Sequence, residues 1–350
     1  MKNRKQQLTR LFFVFLTAAT LWYLNEVLCV KSDHGIDQGR AMYYQPRNSI
    51  DVVMMGSSHI HCDIDPGILW HDYGIAAFDY SAAAQPLWNT YHYLVEFCKY
   101  QNPKVVVLDL FSPAIDKEDY QYTWLRQNLY GVRFSLNKLQ MLFASAEPDK
   151  IEDYFPAFFY HHNRFGELSA GDFLYPFTKG EELRAFKGFT PYFQRNPQER
   201  PNLTETERGS LTTKSEYYLN RIIEFAEEKG IELFLVVTPY ITVEQDELVY
   251  NRIREIAAQH GLQFQSTNYY YDAMGLDFET DFHDDSHLNY WGAVKFTHYL
   301  AKELKARYDL PDRRGDARYE SWEENYRATA TYVEENTGTT DNGTPGTGDP

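Results

Sequence analysis

Three cysteines in 350 residues, Cys29, Cys62 and Cys98, are too few for a disulfide framework, and none falls in a C-x-x-C pair that would suggest zinc or redox work. Cations are scarce too: 34 Lys plus Arg stand against 50 Asp plus Glu, a net charge of -16 at pH 7. A field of that sign repels phosphate backbones, so nucleic acid is excluded as a partner. No internal repeat is present. What is there is 43% hydrophobic and 24% charged sequence, enough for one large or two ordinary domains with real cores, and a wholly disordered chain is excluded.

The few cations are unevenly spread. Residues 1–10 carry Lys2, Arg4, Lys5 and Arg10 and no acid, and residues 11–30 then read LFFVFLTAATLWYLNEVLCV. At 1.5 Å per residue this run covers about 30 Å, the hydrocarbon thickness of a bilayer. A basic segment before it and Trp22 and Tyr23 near its far end predict a single-pass signal anchor, with 1–10 cytoplasmic and the body outside. No small-x-small site follows for a signal peptidase, and Leu28 before Cys29 is too bulky for lipoprotein processing.

After a polar linker over 31–48, continuous apolar runs at Ile50–Gly56, Gly74–Tyr80, Lys104–Leu110, Ile231–Val237 and Leu262–Ser266 alternate with helical patterns at 88–100, 215–229, 244–259 and 290–307. Continuous rather than alternating runs suit strands covered on both faces, so an α/β doubly wound fold with a parallel sheet is expected over 49–307. Residues 111–213 break the rhythm with aromatic clusters and read as an inserted cap. The acid-rich segment 308–350 reads as a largely disordered tail.

The first strand empties into Gly56-Ser57-Ser58-His59, where ligands sit in open parallel sheets. Far downstream, Asp284-Asp285-Ser286-His287 precedes a helix starting near Tyr290. Serine chemistry needs a base within hydrogen-bond reach and a third group that fixes its tautomer, and His287 with Asp284 supplies both. The structural alternative is that Asp285 or Ser286 merely caps the helix. A second chemical reading is a metal-dependent hydrolase using His59, His61 and His283, with Asp63 and His287 nearby. In the cap, His162 and Arg164, like His59 beside the serine, are candidates for substrate contact. Cys62 and Cys98 read as small buried hydrophobes.

Gly-x-Ser after the first strand with Asp-x-x-His before the last helix resembles the SGNH/GDSL hydrolase superfamily, whose fold is a flavodoxin-like three-layer α/β/α sandwich with a parallel sheet. GSSHIHCDIDPGILW, AAFDYSAAAQPLWNTYHYLVE, PKVVVLDL and YHHNRFGEL are similar to its membrane-anchored extracytoplasmic branch, the alginate O-acetylation proteins and DltD. The resemblance implies Ser58 as nucleophile, His287 as base and Asp284 as its orienter, with no metal or cofactor. It further implies an acyl donor, a cell-envelope polysaccharide or teichoic-type polymer, a bacterial membrane and a membrane-bound O-acyltransferase as partner. Either O-acyl transfer or ester hydrolysis is expected, or a catalytically inactive scaffold that binds polymer. The superfamily's oxyanion glycine and asparagine are missing: the second block reads Ser81-Ala82-Ala83-Ala84-Gln85 and the third strand ends Asp109-Leu110-Phe111-Ser112. Backbone amides of Ser58, Ala84 and Gln85 are the remaining candidates for the oxyanion hole.

Overall fold

Strand residues with apolar side chains on both faces demand cover on both faces, and the chain supplies it. The computed structural model describes residues 2–155, 161–203 and 207–338, except the side chains of residues 2, 3, 162 and 163. The strands are β1 (Val52–Met55), β2 (Ala77–Asp79), β3 (Val105–Asp109), β4 (Glu232–Val237) and β5 (Phe264–Ser266). They form one all-parallel sheet in the order β2-β1-β3-β4-β5, a doubly wound order with its switch point between β1 and β3. Val53, Met55, Val106, Leu108 and Leu235 point into one core with Leu94, Ile222 and Ile253. Their neighbours Val52, Met54, Val105, Val107 and Phe234 point into a second core with Leu69, Phe296 and Leu300.

The helices are α1 (Lys2–Leu28), α2 (Ile36–Ala41), α3 (Ser58–Asp63), α4 (Pro66–Tyr73), α5 (Leu87–Phe97), α6 (Ser112–Ile115), α7 (Leu125–Tyr130), α8 (Leu136–Ser145), α9 (Ala170–Ala185), α10 (Thr213–Lys229), α11 (Glu244–Gln259), α12 (Tyr271–Met274), α13 (Tyr290–Arg307) and α14 (Glu320–Thr337). The first core lies under α5, α10 and α11, the second under α4 and α13. α1 is long and apolar enough to cross a membrane, and its apolar stretch is exposed.

Two segments differ from the sequence expectation. Residues 31–48 are no linker: α2 is buried against the body, and Gly35 touches Ala82 so closely that an added Cβ would lie 2.5 Å from the Ala82 Cβ. The buried Gln38 amide donates to Gly188 O at 2.9 Å.

The expected tail is ordered over 308–338, while 339–350 lies outside the described residues. Tyr319 and Trp322 are fully buried, the Trp322 indole donates to Ala77 O at 2.8 Å, and Lys187 Nζ sits 4.4 Å above its ring. Buried aromatics dominate packing energetics, so Tyr319 and Trp322 dock an otherwise acidic segment, a contribution that average composition hides.

The cap expected over 111–213 holds helices α6–α9, with α8 packed on α5. Its end returns to the body as an extended strap: Lys187 O accepts from Asp79 N at 2.9 Å, and Tyr192 O from Tyr290 N at 2.7 Å.

Candidate active site

Two loops 229 positions apart meet beyond the carboxyl ends of β1 and β4. On the first, the chain leaves β1 through Gly56, at φ +151°, where a Cβ would lie 2.7 Å from the Asp109 Cβ. Glycine thus permits both the backbone turn and the close approach of the β3 end. Asp109 Oδ2 accepts from Ser57 Oγ at 3.3 Å and Oδ1 from Thr238 N at 3.4 Å. Burial still pushes the Asp109 carboxyl up to about 7 against these hydrogen bonds. Ser58 follows as the first residue of α3 and is half-buried.

The second loop folds on its own backbone. Phe282 and Leu288 form an antiparallel bridge, and Asp284 Oδ1 accepts from the backbone N–H of Ser286 at 2.8 Å and of His287 at 2.7 Å. The cap of α13 is Asn289, whose side chain accepts from Gly292 N at 3.2 Å, so neither Asp285 nor Ser286 serves that purpose.

Between the loops, Ser58 Oγ lies 2.8 Å from His287 Nε2, and His287 Nδ1 lies 3.0 and 3.2 Å from the two Asp284 oxygens. With Nδ1–H donating to Asp284, Nε2 is left to accept the serine proton. Burial by itself would raise the Asp284 carboxyl, but the His287 ring and the two backbone N–H groups outweigh it and hold the acid below the usual carboxylate range. A third carboxyl braces both loops. Asp63, buried at the end of α3, accepts from Leu288 N and from Thr238 Oγ1, each at 3.0 Å.

The histidines fare differently from expectation. His59 is fully buried, stacked 3.6 Å centroid to centroid on Phe111, with Nδ1 2.8 Å from Thr238 Oγ1. It cannot touch a polymer, which corrects its assignment to substrate binding; burial, then the charge of His287, keeps it neutral. His61 Nδ1 meets Ser81 Oγ at 2.8 Å, and its Nε2 meets Nδ1 of His34 at 3.3 Å. His283 stacks on Tyr192 at 4.0 Å, and Tyr192 faces both His287 and His34.

His59, His61 and His283 therefore face separate partners and do not converge on one ion. Among the described residues, the trio whose ligand atoms come within 4.8 Å of one another is His34, His61 and Cys62. The Cys62 thiol is hydrogen-bonded to Tyr192 rather than to either imidazole. The His34–His61 contact is accordingly an imidazole pair whose outer nitrogen is fixed by Ser81.

Ser58, opening a helix, has an N–H with no intrahelical acceptor and can donate to an oxyanion. In the turn after β2 the Ala83 N–H is committed to His34 O at 2.9 Å, and the Gln85 side chain to Thr90 Oγ1 at 2.9 Å. Ala84 adopts φ +43° in this turn, with its carbonyl held by Gln121. Arg164 is engaged elsewhere: it donates to the Leu28 and Cys29 carbonyls at the end of α1 and pairs with Asp172, which corrects its assignment to the serine site. The side chain of His162 lies outside the described residues.

A cavity of about 600 Å³, lined by Asp33, His34, Glu182, Phe189, Tyr192 and Tyr332 among others, opens on the His34–Tyr192 wall. His34, Tyr192 and Thr238 carry no motif; only the folding together of α2, the strap and the β4 exit brings them here. No protein-family model and no curated protein sequence matches the chain.

Proposed function

We propose that this protein is a membrane-anchored serine acyltransferase or esterase of the SGNH type, acting outside the membrane on a cell-envelope polymer. The observation that carries the reading is the Ser58–His287–Asp284 chain of contacts, 2.8 Å and 3.0 Å long. Ser58 Oγ would attack an ester or thioester carbonyl while His287 Nε2 takes its proton. The resulting imidazolium is stabilised by Asp284, which is already ionised and oriented. Collapse of the tetrahedral species expels the donor alcohol or thiol, protonated by His287, and leaves an acyl-serine. An acceptor hydroxyl, deprotonated by the same nitrogen, then takes the acyl group; water in its place makes the protein an esterase.

The aromatic-lined cavity beside His34 and Tyr192 suits a sugar chain as acceptor. Its described lining carries Asp33 and Glu182 and no lysine or arginine, which favours a neutral or amino-bearing glycan over a polyanion.

The test uses the full chain in detergent micelles or nanodiscs, because Val27 and Cys29 at the end of α1 are buried against the body. A fluorophosphonate should label Ser58, and both labelling and turnover of an activated acetyl ester should vanish in His287→Ala. A protein that is neither labelled nor active, and whose Ser58→Ala variant supports polymer acylation as well as wild type, is a scaffold, and the enzymatic reading falls.

A further inference from the structure

We propose that the first half of α9, with Phe165 beside it, lies in the outer boundary of the same bilayer that α1 crosses, so that the body is seated on the membrane rather than tethered above it. The argument begins with length. Large apolar side chains of α1 are exposed from Leu8 to Leu24, about 25 Å of helix, against roughly 30 Å of hydrocarbon. From Tyr23 onward α1 is progressively covered by the body: Tyr23 Oη donates to Phe173 O at 3.2 Å and its ring lies 6.2 Å from that of Phe177. The anchor cannot be submerged to its full depth without carrying these neighbours in, and those neighbours are apolar.

Phe173, Leu174 and Phe177 share one exposed side of α9, with Phe177 74% exposed, and Phe165 is 80% exposed. Along the same helix the exposed residues then change character to Glu181, Glu182 and Arg184. A helix apolar outward beside the anchor and charged outward farther along matches the step from hydrocarbon to headgroup.

Polar staples at the α1 exit fix the arrangement. Lys179 pairs with Glu26, Lys31 with Asp172, and Arg164 holds the last α1 carbonyls. Trp22 and Tyr23 belong to the interfacial belt by residue type, and Lys179 Nζ lies 5.8 Å from the Trp22 ring. The occupant of the exposed apolar side is therefore lipid, by continuity with the anchor.

The inference rests on α1 spanning a bilayer, and the experiment separates the two. Full-length protein in a Cys98→Ser background carries one added cysteine, Phe177→Cys, Leu16→Cys or Glu334→Cys, labelled with an environment-sensitive fluorophore, in phosphatidylcholine nanodiscs that hold no other protein. Cys29 and Cys62 are buried. The Phe177 label should be blue-shifted and quenched at least twofold by shallow spin-labelled lipid, the Leu16 label by deep spin-labelled lipid, and the Glu334 label by neither.

A quenched Leu16 label with a water-like Phe177 label overturns the seating while leaving the anchor intact, and points to a protein as the occupant. An unquenched Leu16 label removes the anchor and the seating together. Phe173→Ser with Phe177→Ser should leave ester turnover in detergent within twofold of wild type, which separates lost seating from a damaged fold.

Discussion

Asp109, which accepts from Ser57 Oγ, and Asp284, which holds the His287 ring beside Ser58, titrate in opposite directions. Asp284 is held below the usual range by the His287 ring and two backbone N–H groups. Its contribution to stability is present above the unfolded-state value and is lost only as pH falls through the lower folded value. It therefore stays ionised through the working range, as an orienting acid must. Asn at this position accepts poorly and presents the wrong proton, so Asp284→Asn should lower kcat/KM for an activated ester by about 10³- to 10⁴-fold. Adding Ser58→Ala should cost far less than the sum of the two single changes.

Asp109 is pushed up to about 7 by burial. The folded state binds a proton that the unfolded state has released, so stability falls as pH rises from the ordinary carboxylate range to about 7. Asp109→Asn should remove that slope, gaining on the order of 2–4 kcal/mol relative to wild type between pH 4 and pH 8 in urea titrations. An unchanged slope would assign the pH dependence to other buried acids. At this scale the meeting of Ser58, His287 and Asp284 was legible because each belongs to a short local motif. His34 and Tyr192 were not, because their neighbours lie far away in the chain and no spacing rule connects them.

At the scale of elements, the parallel strands were readable because burial on both faces leaves continuous apolar runs. α14 was not, because its composition is acidic while its docking depends on Trp322 and the preceding Tyr319. Trp322→Ala removes a fully buried indole, its 2.8 Å hydrogen bond to Ala77 O and the ring under Lys187. It should cost about 3–5 kcal/mol in denaturant titrations, whereas a disordered tail would lose nothing. α2 was missed for a related reason: six residues are too short to display a helical period, and Gln38 and Gly39 are buried by hydrogen bonding and close approach rather than by apolarity.

The turn after β2 offers the converse case. Ala84 holds φ +43°, a conformation costing an L side chain about 1–2 kcal/mol. Ala84→Gly relieves that strain and loosens the unfolded chain by about 0.4–1 kcal/mol. Stability should change by less than about 1 kcal/mol, while Ala84→Val should be clearly destabilised. A large loss in the glycine variant would show that the methyl group packs rather than strains.

For the whole molecule, charge is the property that local structure leaves open. On the proposed function, the net charge of -16 and the Asp33 and Glu182 lining of the cavity would act on an approaching polymer before any contact forms. For a neutral glycan this field does nothing, and its KM should be flat with salt. For a polyanionic acceptor the field is repulsive, and salt screens it: the Debye length shrinks from about 30 Å at 0.01 M to about 10 Å at 0.1 M. KM for a teichoic-type polymer should therefore fall as salt rises over that interval, by several-fold if the acids face the chain along its length. Asp33→Asn with Glu182→Gln should flatten the dependence without altering turnover of a small neutral ester, since neither carboxylate touches the triad. A polyanion that binds better at low salt would require a cationic surface that the cavity lining does not contain, and would move the acceptor to another face of the protein.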